Sequence, residues 1–395
     1  MSTRIPARFR RLRDDESGFS LVYTAIGFMT FMAASTLAID VGMFMTARSQ
    51  AQNSADAGAL AGVVALVRDN WDDRGASGPA VQSAMSTATK NVVIGTAPSV
   101  LASDVTFPND PAGQPNRVRV KVYRTSFRNT AIPTLIGPLF GIPTVDIAAT
   151  ATAEASPSNA MTCVKPFMIP DKWQENSDDK GKATGSWTPS SQFDLVDNKS
   201  NPLAKPDVYY PATDPRYTGY TVGNDKGQEL TLRAGTGDEV NPSFYFSWKM
   251  PGDTGGDFYR DNIATCNQSK VHFNDPIIQE PGNMVGPTVQ GVQMLIDQDP
   301  GARWDTSCKC VLGSAFGTNS PRVFPIPLYD PSFYANGKLN GRSADFKVAN
   351  FLGFFVDSLQ GNSVYGHITD IIGVTDTTAG PAPAGAFPKT IRLVE

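Results

Sequence analysis

Two histidines and four cysteines are all that this 395-residue chain offers of the side chains that most often hold transition metals or activate nucleophiles. No H-E-x-x-H and no G-x-S-x-G occurs in it. His272 and His367 lie away from the cysteines at any zinc spacing, and a lone histidine in an aromatic-rich region reads as a structural hydrogen-bonding residue. The expectation is a protein that is not an enzyme and uses no cofactor. Excess positive charge is missing too. With 34 Lys and Arg against 38 Asp and Glu the net charge is −4, which excludes a strongly basic nucleic-acid binder. Charged residues make up 18% of the chain, below the roughly 25% of an ordinary soluble domain. What is abundant is Gly (35) and Pro (30), about one residue in six, so turns are frequent.

Long apolar runs are scarce as well, with a single exception. From Ser17 to Ile39 there are 23 residues without a charge. As a helix this run is roughly 35 Å long, enough for a hydrocarbon core of about 30 Å. A cleaved signal would have a shorter apolar core of about 7–15 residues, so the run reads as an uncleaved anchor. Arg4, Arg8, Arg10, Arg11 and Arg13 precede it, which puts the N-terminus in the cytoplasm and the rest of the chain outside. The expected organisation is a basic cytoplasmic stub over 1–16, a transmembrane helix over 17–45, a helix with a small α/β unit over 46–156, and a large β-rich extracytoplasmic domain over 160–395. The fold class is α+β.

The helical pattern continues past the run. Residues 40–69 contain no proline and carry a stripe of small side chains, Ala51, Ala55, Gly58 and Gly62, that would let another backbone approach closely. Such a stripe serves packing within one chain or between subunits, and a homo-oligomer through this helix is one of its two readings. Asp40 marks the membrane edge; the alternative is a charge that pairs with a neighbouring subunit.

Several blocks here resemble a known family: Arg13-Asp14-Asp15-Glu16-Ser17-Gly18, then Leu37-Ala38-Ile39-Asp40-Val41-Gly42, then the continuous run from Ala47 through Gln50, Asn53 and Asp56 to Gly62. In wording and order they are similar to the N-terminus of TadG-type Flp pilus-assembly proteins. The resemblance implies a single-pass inner-membrane protein with a periplasmic domain. It would be a structural or accessory component of the Tad machine that builds type IVb pili. It also implies other Tad components and inner-membrane lipid as partners. The alternative function is an anchored envelope module that binds cell wall, polysaccharide or a surface ligand. Gly18-Phe19-Ser20-Leu21-Val22 is similar to a prepilin-peptidase site, which implies cleavage between Gly18 and Phe19. The pattern has Glu at the fifth mature position, where this chain has Tyr23.

Beyond the helix, residues 79–91 read as a second helix with Pro79 near its start, and Arg117–Arg124 alternates as a strand with Val118, Val120 and Val122 inward. Residues 131–142 read as a short helix or turn among Pro133, Pro138 and Gly141, and Thr144–Ala153 as a further strand. The unit would be pilin-like in architecture. In 160–395, the segments 243–248, 322–328 and 351–359 read as short strands and 291–297 as a helix. All four cysteines lie there, and an oxidising periplasm makes an even count read as disulfides. Cys163–Cys266 is the preferred pair, with Cys308 and Cys310 either closed on each other or free. Asp297, Asp299 and Asp305 cluster as hard oxygen ligands around Gly301, yet a calcium loop of the EF-hand kind would need a Glu at Cys308.

Overall fold

In the absence of proline, helix α1 runs uninterrupted for 52 residues, Ser17–Arg68. The computed structural model describes residues 17–394 except 70, 72, 179, 236–239 and 333–345; the stub expected over 1–16 lies outside the described residues. The apolar half of α1, up to Ile39, projects with its large side chains exposed, among them Phe19, Leu21, Phe28, Phe31 and Leu37. The second half, from Asp40 onward, is embedded in a four-stranded antiparallel sheet and a second helix, α2 (Pro79–Lys90).

That sheet takes the order β1 (Val105–Thr106), β2 (Arg117–Arg124), β5 (Ile147–Pro157), β17 (Lys389–Leu393). In register, Val118 faces Ala153, Val120 faces Ala151 and Val122 faces Ala149. All six are buried, and they present a shallow floor of Val and Ala to α1. α2 supplies Ala80, Val81, Ala84 and Ala88 from the other side. This core contains almost no large side chains; closeness of backbones replaces bulk. On the opposite face Glu154 receives Arg117 at 2.6 Å and Arg392 at 3.2 Å. Residues 131–142, expected as a short helix or turn, fold as a hairpin of β3 (Ile132–Pro133) and β4 (Thr144–Val145) with one turn of 3-10 helix at Gly137–Phe140 between them.

The remaining chain forms a closed six-stranded barrel. Around the barrel run β15 (Phe346–Gln360), β14 (Val323–Tyr329), β7 (Phe167–Pro170), β9 (Phe244–Ser247), β8 (Glu229–Ala234) and β16 (Ser363–Ile368), which pairs back onto β15. Pairs β14–β7 and β8–β9 are parallel, the rest antiparallel. Strand β15 closes the ring because its 15 residues reach both ring neighbours, β14 through Val348–Phe355 and β16 through Phe354–Gln360, besides the short strand Pro276–Ile277 outside the ring. Among the described residues, closure leaves the ring no long exposed edge. Gly366 makes the tight crossing feasible, since a Cβ there would lie 2.1 Å from the Phe355 carbonyl oxygen. Aromatic side chains fill the barrel, including Phe167, Tyr245, Tyr329, Phe346 and Phe354. Helices α4 (Gly256–Ala264) and α5 (Val285–Gln298) pack on each other outside it, and one-turn α3 (Val222–Asp225) precedes β8.

Beside the barrel core a fully buried carboxyl, Asp171, accepts from Tyr209 Oη and Tyr217 Oη, both at 2.9 Å, and from the Tyr220 and Lys172 amides. Burial outweighs these donors and pushes the Asp171 carboxyl up to about 6. A carboxyl raised on folding keeps its proton in the folded chain after the unfolded chain has lost it. Its stabilising share is therefore complete below about pH 4 and fades as pH rises through about 6. Urea midpoints for the wild type and Asp171→Asn, taken from pH 4 to 7, check this. Wild-type stability should fall across that window relative to the variant, and parallel curves would contradict it.

Candidate functional site

Helix α1 carries both Asp40 and the small-residue stripe, and its two halves are held differently. At the boundary, Asp40 is only 3% exposed. Its Oδ1 accepts the Leu135 amide at 2.7 Å and its Oδ2 the Ile136 amide at 2.9 Å. The carboxylate thus fastens the β3–β4 hairpin to the helix where the apolar run ends. The membrane-edge reading of Asp40 had no such partner, because amides 95 and 96 residues away carry no sequence signature.

From about three turns further on, the small stripe meets its partners inside the chain. Ala51, Ala55 and Ala59 are buried. A Cβ on Gly58 would lie 2.9 Å from Ala88 Cβ, and one on Gly62 would lie 2.8 Å from Val118 Cγ1 and 3.1 Å from Ala84 Cβ. Within the chain the stripe therefore lies against α2 and β2. Polar residues on the same stretch reinforce it. Ser54 Oγ donates to the Ala88 carbonyl at 2.8 Å, Gln50 Oε1 accepts the Ile94 amide at 2.7 Å, and Gln52 Nε2 donates to the Thr150 carbonyl at 3.2 Å. These three residues belong to the stretch whose wording resembles the pilus-assembly family, but their partners, 34 to 98 residues away, leave no mark in the sequence.

The far end of α1 reaches the barrel. Lys226 Nζ donates to the Arg68 carbonyl in the last helical turn, and also pairs with Asp370 at 2.5 Å. Burial raises the Asp370 carboxyl, with Lys226 opposing that rise. Arg68 Nη1 donates to Asn319 Oδ1 at 3.1 Å. The C-terminal segment completes the junction. Lys389–Leu393, which the sequence reading grouped with 160–395, forms β17 and pairs with β5 of the small sheet. Asn159 Nδ2 donates to the Asp376 and Gly380 carbonyls, while the Asp376 amide donates back to Asn159 Oδ1. A force on the projecting helix therefore passes into the barrel through hydrogen bonds and a sheet, not through a loose linker.

The remaining candidates fall elsewhere. Phe19 is exposed and packs edge-on against Tyr23, with ring centres 4.6 Å apart. Cys163 is bonded to Cys266, and Cys308 to Cys310. His367 lies flat against Trp304 at 4.9 Å, and burial lowers its pKa. His272 sits 3.3 Å from both Asp275 and Asp376. Asp297, Asp299 and Asp305 are each engaged separately: Asp297 by Gln293, Asp299 by Ser314, Ser320 and the Ala315 amide, and Asp305 by the Ser307 and Cys308 amides. Among the described residues no group of three or more His, Cys, Asp or Glu is placed to hold a metal ion.

The Asp40 clamp makes a direct prediction. Asp40→Ala leaves two amides without their charged acceptor, at about 1.5–3 kcal/mol each. The hairpin should open locally, and hydrogen exchange at the Leu135 and Ile136 amides should quicken by about a hundredfold or more. Unchanged exchange would mean that the carboxylate does not hold the hairpin.

No curated protein and no solved structure matches the chain. The long helix is itself the region of likeness: residues 18–65, which lie within α1, match the family model described as "Putative Flp pilus-assembly TadE/G-like".

Proposed function

We propose that this chain is a single-pass accessory of Flp (Tad) pilus assembly, anchored in the inner membrane with its N-terminus in the cytoplasm and its barrel in the periplasm. The observation that carries the reading is the coincidence of the TadE/G-like segment with a helix whose apolar half stands clear of the folded body. Over its projecting half the helix is long and apolar enough to cross a bilayer. The arginines ahead of Ser17 favour the cytoplasmic N-terminus. Two disulfides suit an oxidising compartment. In this reading 17–45 is the span, 46–156 a collar that grips the helix, and 160–395 an outer domain whose last strand returns to the collar. The role is assembly, not catalysis. Other Tad components are the partners, and the lipid-facing half of α1 is the surface left for a second copy, because the small stripe is already filled.

Two measurements test the reading. Protease added to spheroplasts should digest the barrel, and its survival would reverse the orientation. Detergent extracts should yield other Tad components with the tagged chain, and loss of the gene should reduce surface pili. Normal piliation without the gene would overturn the assembly role.

A further inference from the structure

The β3–β4 hairpin carries apolar side chains that none of the described residues covers. Leu139 is 82% exposed, Leu135 61% and Ile142 54%. From Thr130 to Val145 there is no charged residue. The hairpin sits where α1 leaves the folded body, because Asp40 holds it by the Leu135 and Ile136 amides one residue beyond the end of the apolar run. Its neighbours along α1, Leu37, Ile39 and Val41, are exposed and apolar in turn. Hairpin and helix thus both expose apolar side chains at the level where Asp40 joins them.

Two further observations choose the occupant. The first is height. The 23 residues up to Ile39 measure roughly 35 Å, so with the run filling a hydrocarbon core of about 30 Å, Asp40 and the hairpin lie at the outer headgroup boundary. The second is the state of the backbone. A loop that enters lipid must satisfy its own polar groups. Pro133, Pro138 and Pro143 have no N–H to satisfy. Thr134 donates to the Pro143 carbonyl, Leu139 to Ile136, Gly141 to Pro138 and Ile142 to Gly137, while Leu135 and Ile136 donate to Asp40. Even the Thr134 hydroxyl is engaged, donating to the Ile142 carbonyl at 2.6 Å. Six amides of the hairpin thus find acceptors within the chain beneath the exposed leucines.

We propose that this hairpin is a second membrane contact, with Leu135, Leu139 and Ile142 immersed in the outer-leaflet interface beside the span. It acts as a foot that fixes the height and tilt of the body on the bilayer, and its ligand is the lipid surface itself. The proposal rests on the membrane-anchor reading above, and its test separates the two.

Full-length protein with a single added cysteine carrying an environment-sensitive fluorophore is reconstituted in phosphatidylcholine–phosphatidylglycerol vesicles. Leu139→Cys reports the foot and Val22→Cys the span. Asn109→Cys, exposed in the loop at the opposite end of β2, reports the distant body. Lipid bearing a spin label near the headgroup should cut emission at position 139 by about half and leave position 109 unchanged. Aqueous iodide should do the reverse. If position 139 behaves like 109 while position 22 is shielded from iodide, the foot is disproved and the anchor stands. If position 22 is also open to iodide, anchor and foot fail together. If position 139 is shielded from iodide without quenching by lipid, a protein surface covers it and the proposal is overturned.

Discussion

Replacing Cys163 and Cys266 with serine should lower the stability of the barrel by about 4–5 kcal/mol. The bond spans 103 residues. Cross-linking a loop of that length removes much of the freedom of the unfolded chain, and the barrel needs this help because its ring is closed by distant partners. Strand β7 begins only four residues after Cys163, whereas its partner β14 lies more than 150 residues further on. Neighbouring contacts brace the same seam. The Cys163 amide donates to the Asn267 carbonyl, and Lys165 Nζ donates to Asn262 at 3.2 Å and to Thr265. The bond between Cys308 and Cys310 encloses a single residue and constrains the unfolded chain far less. Urea unfolding followed by tryptophan emission checks the contrast, since Trp173 and Trp248 lie in the affected core. Equal shifts for the two serine pairs would show that loop closure is not the source of the stability.

Local pattern made part of this architecture readable, and distance hid the rest. The strand at 117–124 was plain because Val118, Val120 and Val122 alternate with Arg117, Arg119 and Lys121, and one face of that strand is buried. The second helix announced itself by Pro79. The stretch 351–359 read as a buried strand, since β15 is enclosed on both faces and shows no alternation. Closure into a barrel had no local mark. It depends on β16 meeting β8 and on β14 meeting β7, pairings that join segments more than 130 residues apart. Asp40 could be read only as a charge at the end of an apolar run, because its partners are main-chain amides. The small stripe was visible while its occupant was not. Alanines and glycines admit any close neighbour, and the residues that fill the groove, Val118 and Ala84, come from elements that follow the helix. The return of β17 to the small sheet was equally hidden, since Lys389–Leu393 has no property that names β5 as its partner.

The stripe supports the other large prediction. Gly62→Leu should destabilise the collar by about 3 kcal/mol, at the upper end of the usual range for overpacking. Even the first added carbon would lie 2.8 Å from Val118 Cγ1 and 3.1 Å from Ala84 Cβ, below ordinary contact, and three more carbons must follow. Neither neighbour can yield cheaply. Val118 is fully buried and fixed by its pairing with Ala153, and Ala84 belongs to the backbone-close face of α2. Only α1 itself can move, and moving it outward would strain the Lys226 contact with the Arg68 carbonyl at its end. Gly42→Ala is the matched comparison. A Cβ there meets nothing within 4 Å, so the exchange should stabilise the same helix by about 0.5–1 kcal/mol through the loss of glycine's backbone freedom. The opposite signs are the decisive reading. Helix propensity favours alanine or leucine over glycine at both positions, so a loss confined to position 62 measures the closeness of α1 to α2 and β2. If Gly62→Leu unfolded at the wild-type urea midpoint, the stripe would not be packed within the chain, and the contact between subunits would again be its best explanation.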